Sequence, residues 1–260
     1  MYEHVIFASY GNDSIALIKW ARDRDLRDVV VAHSDTGWAA PWWGARIDQA
    51  EAWVRTLGYA THRIASEGMV HLIRRKNGWP LPRKYQFCTT HLKILPAQVW
   101  LDAVDPDKEA TCMVGVRRSE SRERAQWPEH LEESDKHGGR ALWSPLVRML
   151  DEERDALVVE AGFEVLPHRS QECFPCINSN RGDMMRLTAE RVEEIATLEE
   201  SLGSTGKGKP RTMFRPYRHM GAIGIREVWK WAQSERGKYE SPPVALGDGV
   251  GCDSGMCGEG

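Results

Sequence analysis

The strongest constraint on the fold is a strand, a small-residue turn and a helix that the sequence predicts near the amino terminus. Residues 5–8 form an apolar run that is β-branched at its start, which is typical of a buried strand. Residues 9–13 form a turn that contains Gly11, and Asp13 or Ser14 can cap the helix that follows. Amide groups at such a helix start attract anions, and a glycine lets the backbone approach a phosphate closely. The stretch therefore predicts either a phosphate-binding loop or an ordinary strand–turn–helix corner.

Composition and charge narrow the class of protein. The chain has 260 residues, 41% of them apolar, which suffices for one large α/β domain or for one domain with an appendage. A net charge of −3 gives no overall case for nucleic acid or an acidic surface as a partner. No apolar run is long enough to span a membrane and the first strand begins almost at once, so we expect a cytoplasmic protein without a membrane partner or signal peptide. Six cysteines in such a chain favour thiols, a metal or a cluster over disulfides.

A second predicted strand, residues 28–33, leads into Asp35, Thr36 and Gly37. In an open parallel sheet ligands lie at the carboxyl ends of the strands, so this loop should meet the first one. Asp35 could orient a ribose hydroxyl or a metal-bound phosphate, or it could simply cap the next turn.

The pattern Ser9-x-Gly11-x-Asp13-Ser14 resembles the S-x-G-x-D-S loop of the PP-loop ATP pyrophosphatases. That superfamily, also called adenine nucleotide alpha hydrolases, holds the β,γ-pyrophosphate of ATP and adenylates a substrate. Tyr10 stands where the superfamily usually has glycine, and we expect that this position need not have a positive φ.

Three further segments resemble the phosphoadenosine phosphosulfate reductase-like branch of the superfamily. They are the Asp-Thr-Gly at 35–37, the segment 85–96 and the segment 115–122. The resemblance implies that Lys93 contacts phosphate and that Arg117, with Arg122 as second choice, reaches the nucleotide phosphates. The nucleotide contacts that it implies, with ATP and Mg²⁺ bound, are Ser9, Gly11, Asn12, Asp13, Ser14, Asp35, Thr36, Gly37, Lys93, Arg117 and Arg122. Among these, Asp13, Lys93 and Arg117 are the predicted catalytic residues.

The resemblance also implies the fold and the domains. We expect a Rossmann-like α/β domain, with a parallel sheet flanked by helices, over residues 1–160. Residues 161–260 should form a loop-rich, cysteine-bearing C-terminal region with a CxxC pair, a basic aromatic stretch and a mobile tail.

The cysteines divide into separate groups. Cys88 followed at a distance by Cys173 and Cys176 resembles the cysteine layout of cluster-bearing adenylyl-sulfate reductases and PP-loop tRNA thiolases, which implies a 4Fe–4S cluster. Zinc is the alternative, because soft thiolates serve either, and unrelated buried thiols are a third reading. Cys112 lies inside a predicted strand and is expected to be a small buried hydrophobe.

The C-terminal region carries two further features. Residues 211–219 interleave basic and aromatic side chains, which could hold single-stranded nucleic acid, form a lid over the nucleotide or be a solvated face. The glycine-rich tail contains Cys252 and Cys257. Sulfonucleotide reductases carry a catalytic cysteine in such a tail, which implies a catalytic Cys257; metal ligation or no role are the alternatives.

The implied activity is that of an AMP- and pyrophosphate-forming enzyme, which adenylates an acceptor and transfers or handles sulfur with an iron–sulfur cluster. A thiol-dependent reductase of adenylyl sulfate or phosphoadenylyl sulfate is one alternative. A partner protein that binds nucleotide without turnover is another. The implied partners are an adenine nucleotide, a nucleic acid or small molecule as sulfur acceptor, and a sulfur donor or reductant protein, with a homodimer left open.

Overall fold

The computed structural model describes residues 2–82, 85–214 and 223–235. These residues fall into two compact units. The first unit takes the residues up to 67 together with 90–173, and the second takes 68–89 together with the residues after 173. The sequence analysis divides the chain into residues 1–160 and 161–260, and that division stays a prediction.

Strands and helices alternate through the first part of the chain. The strands are β1 His4–Phe7, β2 Val29–Ser34, β3 Ala60–Ile64, β4 Thr111–Val114, β5 His130–Ser134 and β6 Arg140–Trp143. The helices are α1 Asn12–Asp23, α2 Trp43–Thr56, α3 Met69–Lys76, α4 Phe87–Thr89, α5 Leu95–Val104, α6 Asp151–Glu160, α7 Arg181–Met185, α8 Ala189–Leu202 and α9 Gly224–Gln233. In the described parts of the chain, none of the helices combines the length and the apolar character that crossing a bilayer requires.

The six strands form one sheet in the order β3-β2-β1-β4-β6-β5. Every neighbouring pair is parallel except β5 with β6, which is antiparallel. This mostly parallel sheet with flanking helices confirms the predicted α/β class. Because the order places β1 between β2 and β4, the loops that follow these three strands lie side by side at one edge.

The core of the first unit is built on the central strands. Val5 of β1 is paired in register with Val30 of β2 and Cys112 of β4, and all three are buried. Ala97 and Leu101 of α5 belong to the same buried cluster. The β-branched and small side chains of the inner strands therefore allow α5 to pack closely on the sheet.

Cys112 is fully buried in this cluster, as the sequence predicts for a small hydrophobe. Burial raises the pKa of its thiol to about 12. A thiol of that pKa stays protonated near neutral pH, in keeping with a small buried hydrophobe.

The second unit contains α7, α8 and α9, whose apolar faces pack together. Ile195 on α8 and Val228 on α9 are fully buried. One charged side chain lies among them: the Glu199 carboxylate accepts the backbone N–H groups of Met213 at 2.8 Å and Ile225 at 3.0 Å. A single carboxylate thus connects α8 to the residues before α9 and to the start of α9.

We expect the stability of the second unit to depend on pH through Glu199. Burial raises its pKa to about 7, while the two backbone hydrogen bonds and Arg226 lower it and Glu200 raises it. Because the folded pKa exceeds the unfolded one, the stabilisation is complete below pH ~4.5 and is lost as pH rises to ~7, an effect of about 3 kcal/mol. Hydrogen exchange at the Met213 and Ile225 amides, measured across this range, should report it.

The matched variant for this test is Glu199→Gln, which cannot ionise and should remove the pH dependence. An exposed glutamate of the first unit, Glu133, provides the control variant Glu133→Gln. An unchanged pH profile in Glu199→Gln would show that another group is responsible.

Candidate functional site

The turn between β1 and α1 is held in place by side chains from α2 and by its own serines. Ser9 donates its N–H to Ser14 Oγ at 3.0 Å, and the two hydroxyl oxygens are 3.2 Å apart. The Ser9 carbonyl accepts from Trp43 Nε1 at 3.2 Å, and the Tyr10 carbonyl accepts from Arg46 Nε at 2.8 Å. The carbonyls of Ser9 and Tyr10 are therefore engaged by side chains of α2.

Tyr10 adopts a left-handed backbone conformation with φ 59°. The expectation that this position need not have a positive φ is therefore wrong. Such a φ is unusual for a bulky residue, which accounts for the preference for glycine in the loops that this one resembles. Here the ring is fully buried and lies 5.5 Å from the His33 ring, so its packing offsets the backbone strain. Burial also raises the pKa of the phenol, which therefore stays neutral.

Gly11 and Asn12 fasten the turn to the segment after α6. A Cβ on Gly11 would lie 2.9 Å from Ser170 Cβ, so the close approach of this segment requires glycine. The Asn12 amide binds both the N–H and the carbonyl of Leu166, at 3.0 and 2.9 Å. Gly11 provides no side-chain cap for α1, which leaves the first amides of that helix for a ligand.

A cluster of charged side chains surrounds Asp13, the first acidic residue of α1. Arg117 donates from Nε to Asp13 Oδ1 at 2.5 Å and from Nη1 to Asp151 Oδ1 at 2.5 Å. Arg154 Nη1 lies 3.4 Å from the same Asp13 oxygen. The Arg117 side chain is only 4% exposed, whereas Asp151 is 64% exposed.

These contacts set the charge of the cluster. Burial alone lowers the pKa of Arg117, but its bonds to Asp13 and Asp151 outweigh burial and raise it. Arg117 in turn lowers the pKa of Asp151. The structure therefore places Arg117 beside the loop with both ends of its guanidinium on carboxylates, so that it orients Asp13.

The end of β4 also packs directly on the start of α1. A Cβ on Gly115 would lie 2.8 Å from the Asp13 carbonyl oxygen and 3.3 Å from its Cβ. A side chain at this position would therefore move Asp13 or the end of the strand.

We expect Gly115→Ala to destabilise the first unit by about 1–3 kcal/mol, because overpacking forces a backbone shift. Gly44→Ala is the matched control, since Gly44 lies within α2 with nothing near its Cβ position. Because Gly44 is in the first turn of α2, alanine there should instead be neutral or stabilise by less than the ~1 kcal/mol expected in a helix interior. Denaturant unfolding of both variants measures the contrast, and similar free energies for the two would refute the proposed close packing.

The loop after β2 is stabilised by hydrogen bonds of its own. Asp35 is exposed, and its Oδ1 accepts the Gly37 N–H at 2.9 Å. Thr36 is buried, donates to the Glu172 carbonyl at 2.9 Å, and lies 3.7 Å from Cys173 Sγ. The Asp35 carboxylate thus caps its own turn, one of the two roles predicted for it, and does so at the strand end next to Ser9.

Lys93 and Arg122, the remaining predicted contacts, differ in their surroundings. Lys93 lies in the π-helical turn Thr90–Ile94 and forms an ion pair with Glu172, whose carbonyl holds Thr36. Arg122 is exposed at the start of a short 3₁₀ turn. Lys93 is therefore connected to the β2 loop, while Arg122 lies in the segment that follows β4.

The predicted metal ligands receive no support. Within residues 2–82, 85–214 and 223–235, no group of three or more His, Cys, Asp or Glu side chains could hold a metal ion. Cys173 belongs to the first unit, and Cys88 and Cys176 belong to the second. Cys176 Sγ accepts the Asn178 N–H at 3.5 Å. Cys252, Cys257 and residues 215–219 lie outside the described residues.

Several residues at this site carry no signal in the sequence. Trp43 and Arg46 reach the loop from α2, and Asp151 and Arg154 reach Asp13 and Arg117 from α6. Each reads as an ordinary helix residue. Only the acidic start of α6, residues 151–153, could have suggested a carboxylate that pairs with a distant arginine.

Comparisons with known proteins give weak similarities. No family model matches this chain. An uncharacterized 37.8 kDa protein in the gpa 5′ region of Escherichia phage 186 is 26% identical over 200 residues, which are 67% of this chain and 60% of the phage protein. The chain thus spans less than two thirds of the length of that relative.

Two solved structures show similarity to part of this chain. A phosphoadenylyl-sulfate (PAPS) reductase from Candida auris, in a phosphate complex, is 13% identical with a TM-score of 0.47, covering 64% of this chain and 75% of that one. A Candida glabrata FMN adenylyltransferase, in complex with FMN and the ATP analog AMPCPP, is 12% identical with a TM-score of 0.38, covering 60% and 47%. Both neighbours are enzymes, but neither similarity assigns a reaction to this chain.

Proposed function

We propose that this chain is an ATP pyrophosphatase-type enzyme that binds ATP at residues 9–14 and adenylates an acceptor. The observation that carries the proposal is the turn between β1 and α1. Its carbonyls are bound by Trp43 and Arg46, while the helix start that it leads into has no side-chain cap. Fixed amides and the helix dipole favour a phosphate group there.

The reaction that fits this site is displacement at the α-phosphate. A nucleophilic atom of the acceptor forms a bond to the α-phosphorus, the bond to the bridging oxygen breaks, and pyrophosphate leaves with the electron pair. Donors that are already oriented stabilise the charge that develops on the leaving group. The helix amides, Arg117 and Lys93 are the proposed donors.

Mg²⁺ is implied by this activity, and the chain offers a donor that fits it. Asp13 supplies carboxylate oxygens at the loop, and Mg²⁺ is commonly held by one or two carboxylates together with substrate phosphates. When bound, the ion would neutralise phosphate charge. Arg117 and Arg154 keep the Asp13 carboxylate in place for that role.

The iron–sulfur cluster is a different matter. The described residues do not form a metal-binding group, so we derive no step through a cluster or through zinc. Transfer of sulfur, and the catalytic role of Cys257, stay predictions.

A thiol-dependent sulfonucleotide reductase is the second candidate, because Cys173 Sγ lies only 3.7 Å from Thr36 Oγ1 in the β2 loop. In that reaction a thiolate attacks the sulfur of adenylyl sulfate and AMP leaves. A second thiol then attacks the cysteine sulfur of the resulting S-sulfocysteine, the bond from that sulfur to the sulfonate breaks, and sulfite leaves as a disulfide forms. The two thiols therefore supply the two electrons that reduce the sulfate group to sulfite.

Product analysis distinguishes the candidates. The full chain is incubated with Mg²⁺ and ATP labelled at the α- or γ-phosphate, with a nucleic acid or a thiol as acceptor, and AMP and pyrophosphate are quantified. A parallel reaction with adenylyl sulfate is assayed for sulfite. Acceptor-dependent pyrophosphate supports the first proposal and sulfite the second. Nucleotide binding without either product indicates a non-catalytic partner protein, and failure to bind any adenine nucleotide would overturn all three.

A further inference from the structure

The second unit contains a stretch whose charge is opposite to that of the whole chain. Residues 68–89 include no aspartate or glutamate, although the net charge of the chain is −3. The lysines and arginines of this stretch are Arg74, Arg75, Lys76, Arg83 and Lys84. Positive charge is thus concentrated in one short segment, which is the usual electrostatic footprint of a polyanion partner.

Helix α3 presents part of this charge to solvent. Met69, Leu72 and Ile73 are buried on one face, whereas Arg74 and Lys76 are exposed. In the part of the chain that the structure describes, neither Arg74 nor Lys76 forms an ion pair. One basic residue at the end of a helix is explained by the helix dipole. Three consecutive basic residues exceed what the dipole requires.

An exposed aromatic ring follows on the next loop. Tyr85 is 67% exposed, which is unusual for a large aromatic residue. The loop that carries it is closed by a hydrogen bond from the Leu81 N–H to the Tyr85 carbonyl at 3.0 Å. Lys76 Nζ lies 5.9 Å from the centre of the Phe87 ring, which connects the end of α3 to the residues after Tyr85.

We propose that Arg74, Lys76 and Tyr85 form a surface that binds single-stranded nucleic acid without sequence preference. The two cations at the end of α3 would contact the phosphate backbone, and the phenol ring would stack on a base. Stacking of this kind needs an unpaired base, which favours a single strand over a duplex. Among the described residues of 68–89, no large aliphatic side chain is exposed for insertion into a lipid bilayer, so a nucleic acid fits this surface better than a membrane does.

This surface goes beyond the ATP site and needs no nucleotide to function. If the bound strand is also the molecule that is adenylated, the surface identifies the acceptor of the proposed reaction. That identification rests on the proposed function. Binding is therefore measured without ATP. A failure to bind would leave pyrophosphate release unaffected, and a failure of pyrophosphate release would leave binding unaffected.

The test is fluorescence anisotropy of the full chain with a labelled single-stranded oligonucleotide at several salt concentrations. Tyr85→Ala should weaken binding by about ten-fold or more. Arg74→Ala combined with Lys76→Ala should lower the slope of log K against log salt by about 1.4, since each phosphate contact on a single strand contributes ~0.7. The matched control is Arg27→Ala with Lys136→Ala, which removes the same charge from exposed positions of the first unit.

Three outcomes would overturn the inference. One is that the control pair weakens oligonucleotide binding as much as the α3 pair does, because the effect would then come from net charge. Another is tighter binding of a duplex of the same sequence or of phosphatidylserine vesicles. The third is unchanged affinity in Tyr85→Ala. Melting temperatures of all variants identify loss of folding, and if the α3 pair fails to fold, Tyr85→Ala and the wild-type salt slope decide.

Discussion

Replacing Arg140 by methionine is expected to lower the free energy of unfolding by about 3–5 kcal/mol. Arg140 and Asp105 are both fully buried, and Arg140 Nε lies 2.6 Å from Asp105 Oδ2. The guanidinium also binds the Asp105 carbonyl and the His137 carbonyl. Without it, the Asp105 carboxylate is left in the interior, where the Glu109 and Ala110 amides are its remaining donors within the described residues. An uncompensated buried charge is far more costly than the loss of one hydrogen bond.

Denaturant unfolding measures this loss, and a surface arginine supplies the matched control. Arg148 is 74% exposed and lies 3.7 Å from Glu129, so Arg148→Met should change stability by less than about 0.5 kcal/mol. Combining Arg140→Met with Asp105→Asn should recover part of the loss, because the unpaired charge disappears with its partner. Equal effects of the two methionine variants would mean that the buried pair is not important for stability.

The second large effect is expected at the proposed ATP site: Asp13→Asn should reduce pyrophosphate release about 100-fold or more. A rate loss of this size is typical when one well-oriented electrostatic group is removed from a site that stabilises developing charge. Asparagine keeps the shape of the side chain but loses the charge that would hold Mg²⁺ and pair with Arg117. Initial rates under saturating ATP and Mg²⁺ provide the measurement.

Asp151→Asn is the comparison variant, because Asp151 binds the same guanidinium from the exposed side. It should lower the rate less, since Arg117 keeps its bond to Asp13. Thermal unfolding of both variants separates loss of activity from loss of folding. If Asp13→Asn and Asp151→Asn reduced the rate equally, the effect would belong to Arg117 and not to a metal-binding carboxylate.

The sequence predicted the elements whose pattern is local. The first strand, the turn and α1 were recognised from a β-branched run, small polar residues and helical spacing, and the structure has them at His4–Phe7 and Asn12–Asp23. Strand β5 was missed because it is a mostly exposed edge strand of polar residues, His130–Ser134, without an apolar alternation. The φ of Tyr10 was predicted wrongly, since burial of its ring against His33 overrides the backbone preference of tyrosine.

The candidate site was predicted in outline and not in detail. The carboxyl ends of β1, β2 and β4 meet as expected, because parallel strands in the observed order must bring their following loops together. The partners of Arg117 could not be predicted, since Asp13 is 104 residues away in the chain and Asp151 is 34 residues away. Nothing in the local pattern distinguishes a phosphate-binding arginine from one that orients a carboxylate.

Hydrophobic pattern and turn chemistry were thus enough to place a small-residue turn between a buried strand and a helix, because those signals act between near neighbours. Which charges are buried, and with which partners, was decided only by the folded chain. Arg140 and Asp105, 35 residues apart, read as ordinary surface charges, yet both are inside. A buried charge is tolerated only where a distant partner compensates it, and the sheet order and helix packing determine which partner that is.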